Sequence, residues 1–201
     1  MKITFLCPVV FVLPLLASCA LGPPEFRELH GPPQKVVRNG FSFLPLDEPG
    51  WSMAERDGQL CLAKDGPKQD ESTVIVMGRE KLPPFKTTEE FLSLIRAKET
   101  ADPGPRFTTQ QLDVAVYGGR GTECAKITSL SEDAAARHPS PRSDAMLLKN
   151  LTLSCAHPDD KSIEVFLLYS YRYYPGDDDS AFLTKAEAVL NRFTLSALES
   201  R

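Results

Sequence analysis

Apolar and polar positions alternate through most of this chain, and the spacing turns helical only twice. Phe41 and Phe43 share one face of residues 40–46, a strand whose Pro45 suggests a sheet edge. Residues 51–55 form a second short strand. Asp57-Gly58 is a hairpin signal, and Leu60 and Leu62 carry the alternation on. After Asp65-Gly66-Pro67 turns the chain, residues 72–78 hold Thr73-Val74-Ile75-Val76-Met77. That segment is apolar on both faces and reads as a central strand. A helix follows, capped by Thr87 or Thr88, with Glu89 and Glu90 in its first turn and Phe91, Leu94, Ile95 and Lys98 along one stripe. Asp102-Pro103-Gly104-Pro105 ends it. Four more strands fall at 107–117, 122–130, 146–156 and 162–173. The last is again central, with Tyr169, Tyr171 and Tyr173 on one face and Phe166 and Leu168 on the other. Asp179 or Ser180 caps a closing helix with the stripe Phe182, Ala186, Val189, Leu190 and Phe193. The order β-β-β-β-α-β-β-β-β-α predicts an α+β fold. It is an antiparallel sheet of about seven to eight strands packed by two amphipathic helices.

Composition adds little to the body of the fold and much to its start. The 201 residues are 42% hydrophobic, with 23 basic and 27 acidic side chains and a net charge of −4. No basic excess points to nucleic acid. Lys2 precedes an apolar run, residues 3–16, broken by Pro8 and Pro14. A run that short cannot span ~30 Å of hydrocarbon as a stable helix, and it reads as an export signal.

The run ends in Leu16-Ala17-Ser18-Cys19, which resembles the lipobox of bacterial lipoproteins. The resemblance implies cleavage before Cys19, a diacylglycerol on its thiol and an acyl chain such as palmitate on its new amine. Ala20, not being Asp, implies sorting to the outer membrane. Two or three acyl chains hold a protein to a bilayer durably, where one gives only reversible binding. On this reading residues 1–18 are the signal peptide and 19–35 the lipidated start and a tether carrying Gly22-Pro23-Pro24 and Gly31-Pro32-Pro33. Residues 36–201 are one domain. An extended tether would reach about 50 Å.

The element order, with the opening Phe41-Ser42-Phe43 and Gly50-Trp51, is similar to the α/β sandwich of PsbP-like proteins, a photosystem family with bacterial lipoprotein relatives. The similarity covers most of the chain after the signal and carries no catalytic motif, and fold alone does not give function.

In an oxidising compartment, Cys61, Cys124 and Cys155 leave an odd thiol. Cys124 and Cys155 fall on strands expected to be neighbours, and a bridge would close about 30 residues. Face parity does not support it. Cys155 shares parity with Leu151 and Leu153, Cys124 with Thr122 and Lys126, so a bulge would be needed and the pairing stays open. Cys61, between Leu60 and Leu62, reads as an inert buried thiol.

Catalytic chemistry is sparse. Cys155, His157, Asp159 and Asp160 have metal-ligating types, but they also make an ordinary turn, and a bridged Cys155 could not ligate. Asp177-Asp178-Asp179 lacks EF-hand spacing. Gly118-Gly119-Arg120-Gly121 lacks the Lys-Ser/Thr ending of a P-loop. No Gly-x-Ser-x-Gly or His-Glu-x-x-His occurs. The expectation is therefore no catalytic residue, no metal and no cofactor. The candidate binding surface is Arg137, His138 and Arg142 in a long polar loop, with Tyr169, Tyr171 and Tyr173 at one end of a central strand. The sequence predicts an envelope protein that is not an enzyme, held to the membrane through its lipid and binding another envelope protein. The alternative is a carrier or sensor of a small ligand, with a pocket between sheet and helix. The third reading is a metal-assisted hydrolase using His157.

Overall fold

The alternating runs pair as hairpins in the computed structural model, which describes residues 25–68, 70–101, 106–134 and 145–199. The strands are β1 (Arg27–Glu28), β2 (Val36–Arg38), β3 (Phe41–Phe43), β4 (Ser52–Arg56), β5 (Gln59–Asp65), β6 (Ser72–Lys81), β7 (Phe107–Val116), β8 (Cys124–Asp133), β9 (Met146–Ala156), β10 (Ile163–Tyr173) and β11 (Phe193–Leu195). The helices are α1 (Thr88–Glu99), between β6 and β7, and α2 (Phe182–Leu190), between β10 and β11. Among the described residues no helix is long and apolar enough to cross a membrane.

Two meanders, β4-β5-β6 and β7-β8-β9-β10, join through β6 and β10 into one antiparallel sheet of order β1-β4-β5-β6-β10-β9-β8-β7. The two strands that are apolar on both faces, β6 and β10, thus lie side by side at its centre. A second sheet of order β11-β3-β2 was not expected. It corrects two readings. Residues 41–43 are the middle strand of this small sheet and stop before Pro45, so they are not an edge of the main sheet. Phe193, read as helical because it falls three residues after Leu190, opens β11 and pairs with Phe43.

Side-chain parity divides the core. Odd-numbered positions of β9 and β10 (Leu151, Leu153, Val165, Leu167, Tyr169, Tyr171) pack with Phe182, Ala186, Val189 and Leu190 of α2 and with Phe41, Phe43 and Phe193 of the small sheet. On the opposite face, Ala125, Ile127 and Ala156 meet Phe91, Leu92 and Ile95 of α1. The two helices therefore cover opposite faces of one sheet.

Local chemistry sets the helix ends. The Thr87 Oγ1 accepts from the Glu90 N–H at 3.2 Å, and the Glu90 carboxylate accepts from the Lys86 N–H at 2.6 Å. Asp179 does not cap α2 as expected. The N-cap is Ala181, whose N–H donates to Asp179 Oδ1 at 2.9 Å. At the other end Arg120 donates to the carbonyls of Leu190 at 2.9 Å and Phe193 at 2.6 Å, closing α2 from the 118–121 turn.

Cys124 and Cys155 are disulfide-bonded, with Cα atoms 4.0 Å apart on directly opposed positions of β8 and β9. No bulge intervenes. The register also sets Lys126 opposite Leu153, so a lysine occupies the α2 side of β8 and reaches Glu187 at 3.0 Å.

The tether reading also changes. Arg27–Glu28 pair with Ser52–Met53 of β4, and the Leu29 N–H donates to the Trp51 carbonyl at 2.8 Å. Residues assigned to the tether by composition are thus built onto the edge of the main sheet.

Candidate functional site

The largest concentration of unusual chemistry surrounds the tyrosines of β10. A cleft of about 480 Å³ opens between β5, β6, β10 and α2, bounded by the turn after Asp65 and by the segment before α2. Gly66 makes that turn feasible. A Cβ there would run into Glu71 Cβ, and the Gly66 N–H donates to the Glu71 carbonyl at 2.8 Å. The fold of the turn buries Glu71 to 3% exposure, with its carboxylate accepting from the Lys68 N–H and from the Tyr171 hydroxyl at 3.1 Å.

Charge around the cleft is unbalanced. Six carboxylates line it (Glu48, Asp65, Glu71, Asp177, Asp178, Asp179) against three lysines (Lys64, Lys68, Lys185). Lys64 pairs with Glu48 at 3.0 Å, Lys68 with Asp177 at 3.0 Å and Lys185 with Asp179 at 2.7 Å, and Lys149, from beside the cleft, pairs with Asp178 at 3.1 Å. Burial, with Glu48 and Asp179, pushes Tyr169 up to about 12. Burial and the carboxylates of Glu71, Asp179 and Asp177 push Tyr171 up as well. Lysine pairing holds Asp179 below the usual carboxylate range.

Trp51 joins this cleft to a second and larger one. That cleft, of about 980 Å³, lies between residues 27–38 and the 45–53 segment, and Trp51, Leu46 and Glu48 line both. The indole is 3% exposed, with Lys64 Nζ 5.8 Å from its ring centre, and among the described residues its buried Nε1 has no hydrogen-bond partner. A buried unsatisfied donor costs about 1 to 3 kcal/mol, so this tryptophan is held there against its own polarity.

Of the residues expected to form a binding surface, Tyr169, Tyr171 and Tyr173 are buried beneath α2 at 5%, 8% and 4% exposure. Tyr169 and Tyr171 line the smaller cleft, while Tyr173 stacks on Tyr171 with ring centres 5.0 Å apart. Cys19, Arg137, His138 and Arg142 lie outside the described residues. No binding role was expected of Trp51, Glu48 or Glu71 from sequence. The only available signal was a lone glutamate set directly before the apolar run of β6.

His157 is fully buried and already engaged. One ring nitrogen, Nε2, lies 2.9 Å from the Ser196 carbonyl, and the other, Nδ1, accepts from the Asp159 N–H at 3.1 Å. Cys155 is bridged, so neither residue is open to a metal. Among the described residues no three His, Cys, Asp or Glu side chains stand together as a ligand set. Cys61 carries a free, half-buried thiol whose pKa burial raises. It faces away from both clefts, since its register partners are Ala54 and Val76.

No family model matches the chain, and no curated protein matches it.

Proposed function

We propose that this protein is exported and anchored through a lipidated Cys19 to the bacterial envelope, at the outer membrane. There it works as a non-catalytic binding module built on a PsbP-like sandwich. The lipobox supports the address. The order of strands and helices supports the sandwich.

The observation that carries binding is the acidic, aromatic-floored cleft at Trp51, Tyr169 and Tyr171. Carboxylates in excess beside aromatic faces favour a cation, because the ring quadrupole and the carboxylates attract the same charge. The cleft therefore suits an amine, or a basic side chain of an envelope partner. The carrier reading differs only in the size of what enters, and the position of the cleft between sheet and helix favours it equally. A hydrolase using His157 gains no support, with both ring nitrogens occupied.

Site-directed photo-crosslinking in intact cells tests the reading. Ala188 lines the cleft and Gln110 of β7 lies far from it. A photoreactive residue at position 188 should give a discrete adduct that position 110 does not. Equal labelling of bulk lipid from both positions would refute a recognition site here.

A further inference from the structure

The docked start of the fold has a consequence for how the anchored protein sits. Cys19 lies eight residues before Arg27, the first residue of β1. At ~3.5 Å per residue the anchor can stand no more than about 28 Å from the sheet edge, roughly half of what a free tether to residue 35 would allow. The domain is therefore held by one corner, close to the bilayer. That corner exposes apolar side chains among charged ones. Among the described residues five large hydrophobic side chains are exposed, and three fall within its first segments: Phe26, Val37 and Leu44.

The small sheet explains two of them. Val36, Phe41 and Phe43 turn inward onto the core, so the alternation turns Val37 outward, opposite Ser42. Leu44 continues β3, its N–H donating to the Arg192 carbonyl at 3.2 Å, and falls on the same outer side. Phe26 immediately precedes β1. Charge does not compete for this surface. Arg27 and Lys35 are offset by Glu25 and Glu28, and Arg38 is paired with Glu55 at 2.6 Å.

Resting on the anchor reading proposed above, we infer that Val37 and Leu44, on the outer side of the small sheet, and Phe26, at the edge of the main sheet, rest on the bilayer that holds Cys19. The contact is apolar and insensitive to salt. It leaves the cleft at Tyr169 and Tyr171 oriented by the membrane instead of free to tumble.

Trp51 is the only tryptophan and sits at this corner, so energy transfer from it to dansyl-phosphatidylethanolamine reports the distance to the membrane. The full-length gene is expressed in a bacterium. The product is purified from membranes and reconstituted in phosphatidylethanolamine–phosphatidylglycerol vesicles carrying that probe. Intact mass comes first. A product without lipid on Cys19 that stays off vesicles removes the anchor and this surface together.

With the lipid present, about twenty Gly/Ser residues inserted after residue 24 raise the root-mean-square reach of the tether from ~16 Å to ~29 Å. Transfer is expected to survive that insertion, at low and high salt. It should fall by roughly half or more when Phe26→Ser, Val37→Ser and Leu44→Ser are added, as the longer reach then governs the distance. If lengthening alone causes the fall, or the triple substitution changes nothing, the surface is refuted while the anchor stands. Circular dichroism and the Trp51 emission maximum check the fold of the triple variant. Val37→Ser alone in the lengthened chain, expected to lower transfer in part, replaces it if the triple variant is misfolded.

Discussion

The Cys124–Cys155 bridge offers the most direct measurement on this fold. It joins residues 31 apart in sequence, and in the chain-entropy model closing such a loop disfavours the unfolded state by about 4 kcal/mol. The double substitution Cys124→Ala/Cys155→Ala removes that constraint. It also empties a site where both side chains are essentially unexposed, adding about 1 kcal/mol of lost packing. A domain of this size loses roughly 2 to 4 °C of Tm per kcal/mol, so the variant should melt about 10 to 20 °C lower. Since the bridge acts largely on the unfolded chain, the variant should also unfold to a more expanded ensemble and show a steeper urea dependence. Urea titration followed by Trp51 fluorescence gives the free-energy loss and the slope, and a thermal melt gives the Tm. Thiol titration of the denatured, unreduced protein should find Cys61 reactive and the bridged pair silent. A loss below about 1 kcal/mol, with an unchanged urea slope, would refute the loop-closure reasoning.

Lys98 holds the buried Glu164 at 3.0 Å and Glu80 at 2.7 Å, and the Ser154 hydroxyl donates to Glu164 at 2.8 Å. Lys98→Met should destabilise by about 2 kcal/mol, less than for a fully buried pair since the ammonium is partly solvated, and adding Glu164→Gln should restore part of the loss in chemical denaturation. Glu99 is raised above the ordinary carboxylate range by burial, with Glu164 and Glu80 adding to it against Lys98. A raised acid stabilises the fold below its unfolded pKa and loses that stabilisation as pH rises through the folded value. Glu99→Gln should therefore stabilise at pH 7 and not below pH 4, as melting curves at the two pH values will show. Arg96 donates to the Val114 carbonyl at 2.9 Å, near the C-terminal end of the edge strand β7. Arg96→Ala should increase concentration-dependent self-association in sedimentation velocity, and an unchanged monomer would sink the idea of a guarded edge.

Strand alternation made much of the main sheet legible, because burying one side of a strand more than the other forces period-two patterning on β4, β5 and β7 through β9, while β6 and β10 showed as apolar on both faces. The small sheet escaped because β2, β3 and β11 have only three residues each, too few for a period to register. The parity objection to the bridge assumed that inward positions are apolar. Lys126 breaks that assumption, since its stem lies beneath α2 while its ammonium meets Glu187. The proline-rich start was read as free spacer from composition alone, which carries no information about backbone pairing with β4. The tyrosines were visible as a stripe. The acids that give their cleft its sign come from segments far apart in sequence, Glu48, Glu71 and Asp177 to Asp179, and only tertiary structure gathers them.

The pairing of β6 with β10 sets a timetable for assembly. Residues 72–81 lie against residues 163–172, some ninety positions later, and every segment between them must emerge before that seam can close. Until then the first meander ends in a long, apolar, unpaired margin at Ser72–Lys81, the kind of surface that invites pairing with a neighbouring nascent chain. A polypeptide halted before Ile163 would lack β10, the strand that joins the two halves of its main sheet, and α2 and β11 as well. Release of the C-terminal forty residues, instead of any step near the start, is what turns two halves into one body.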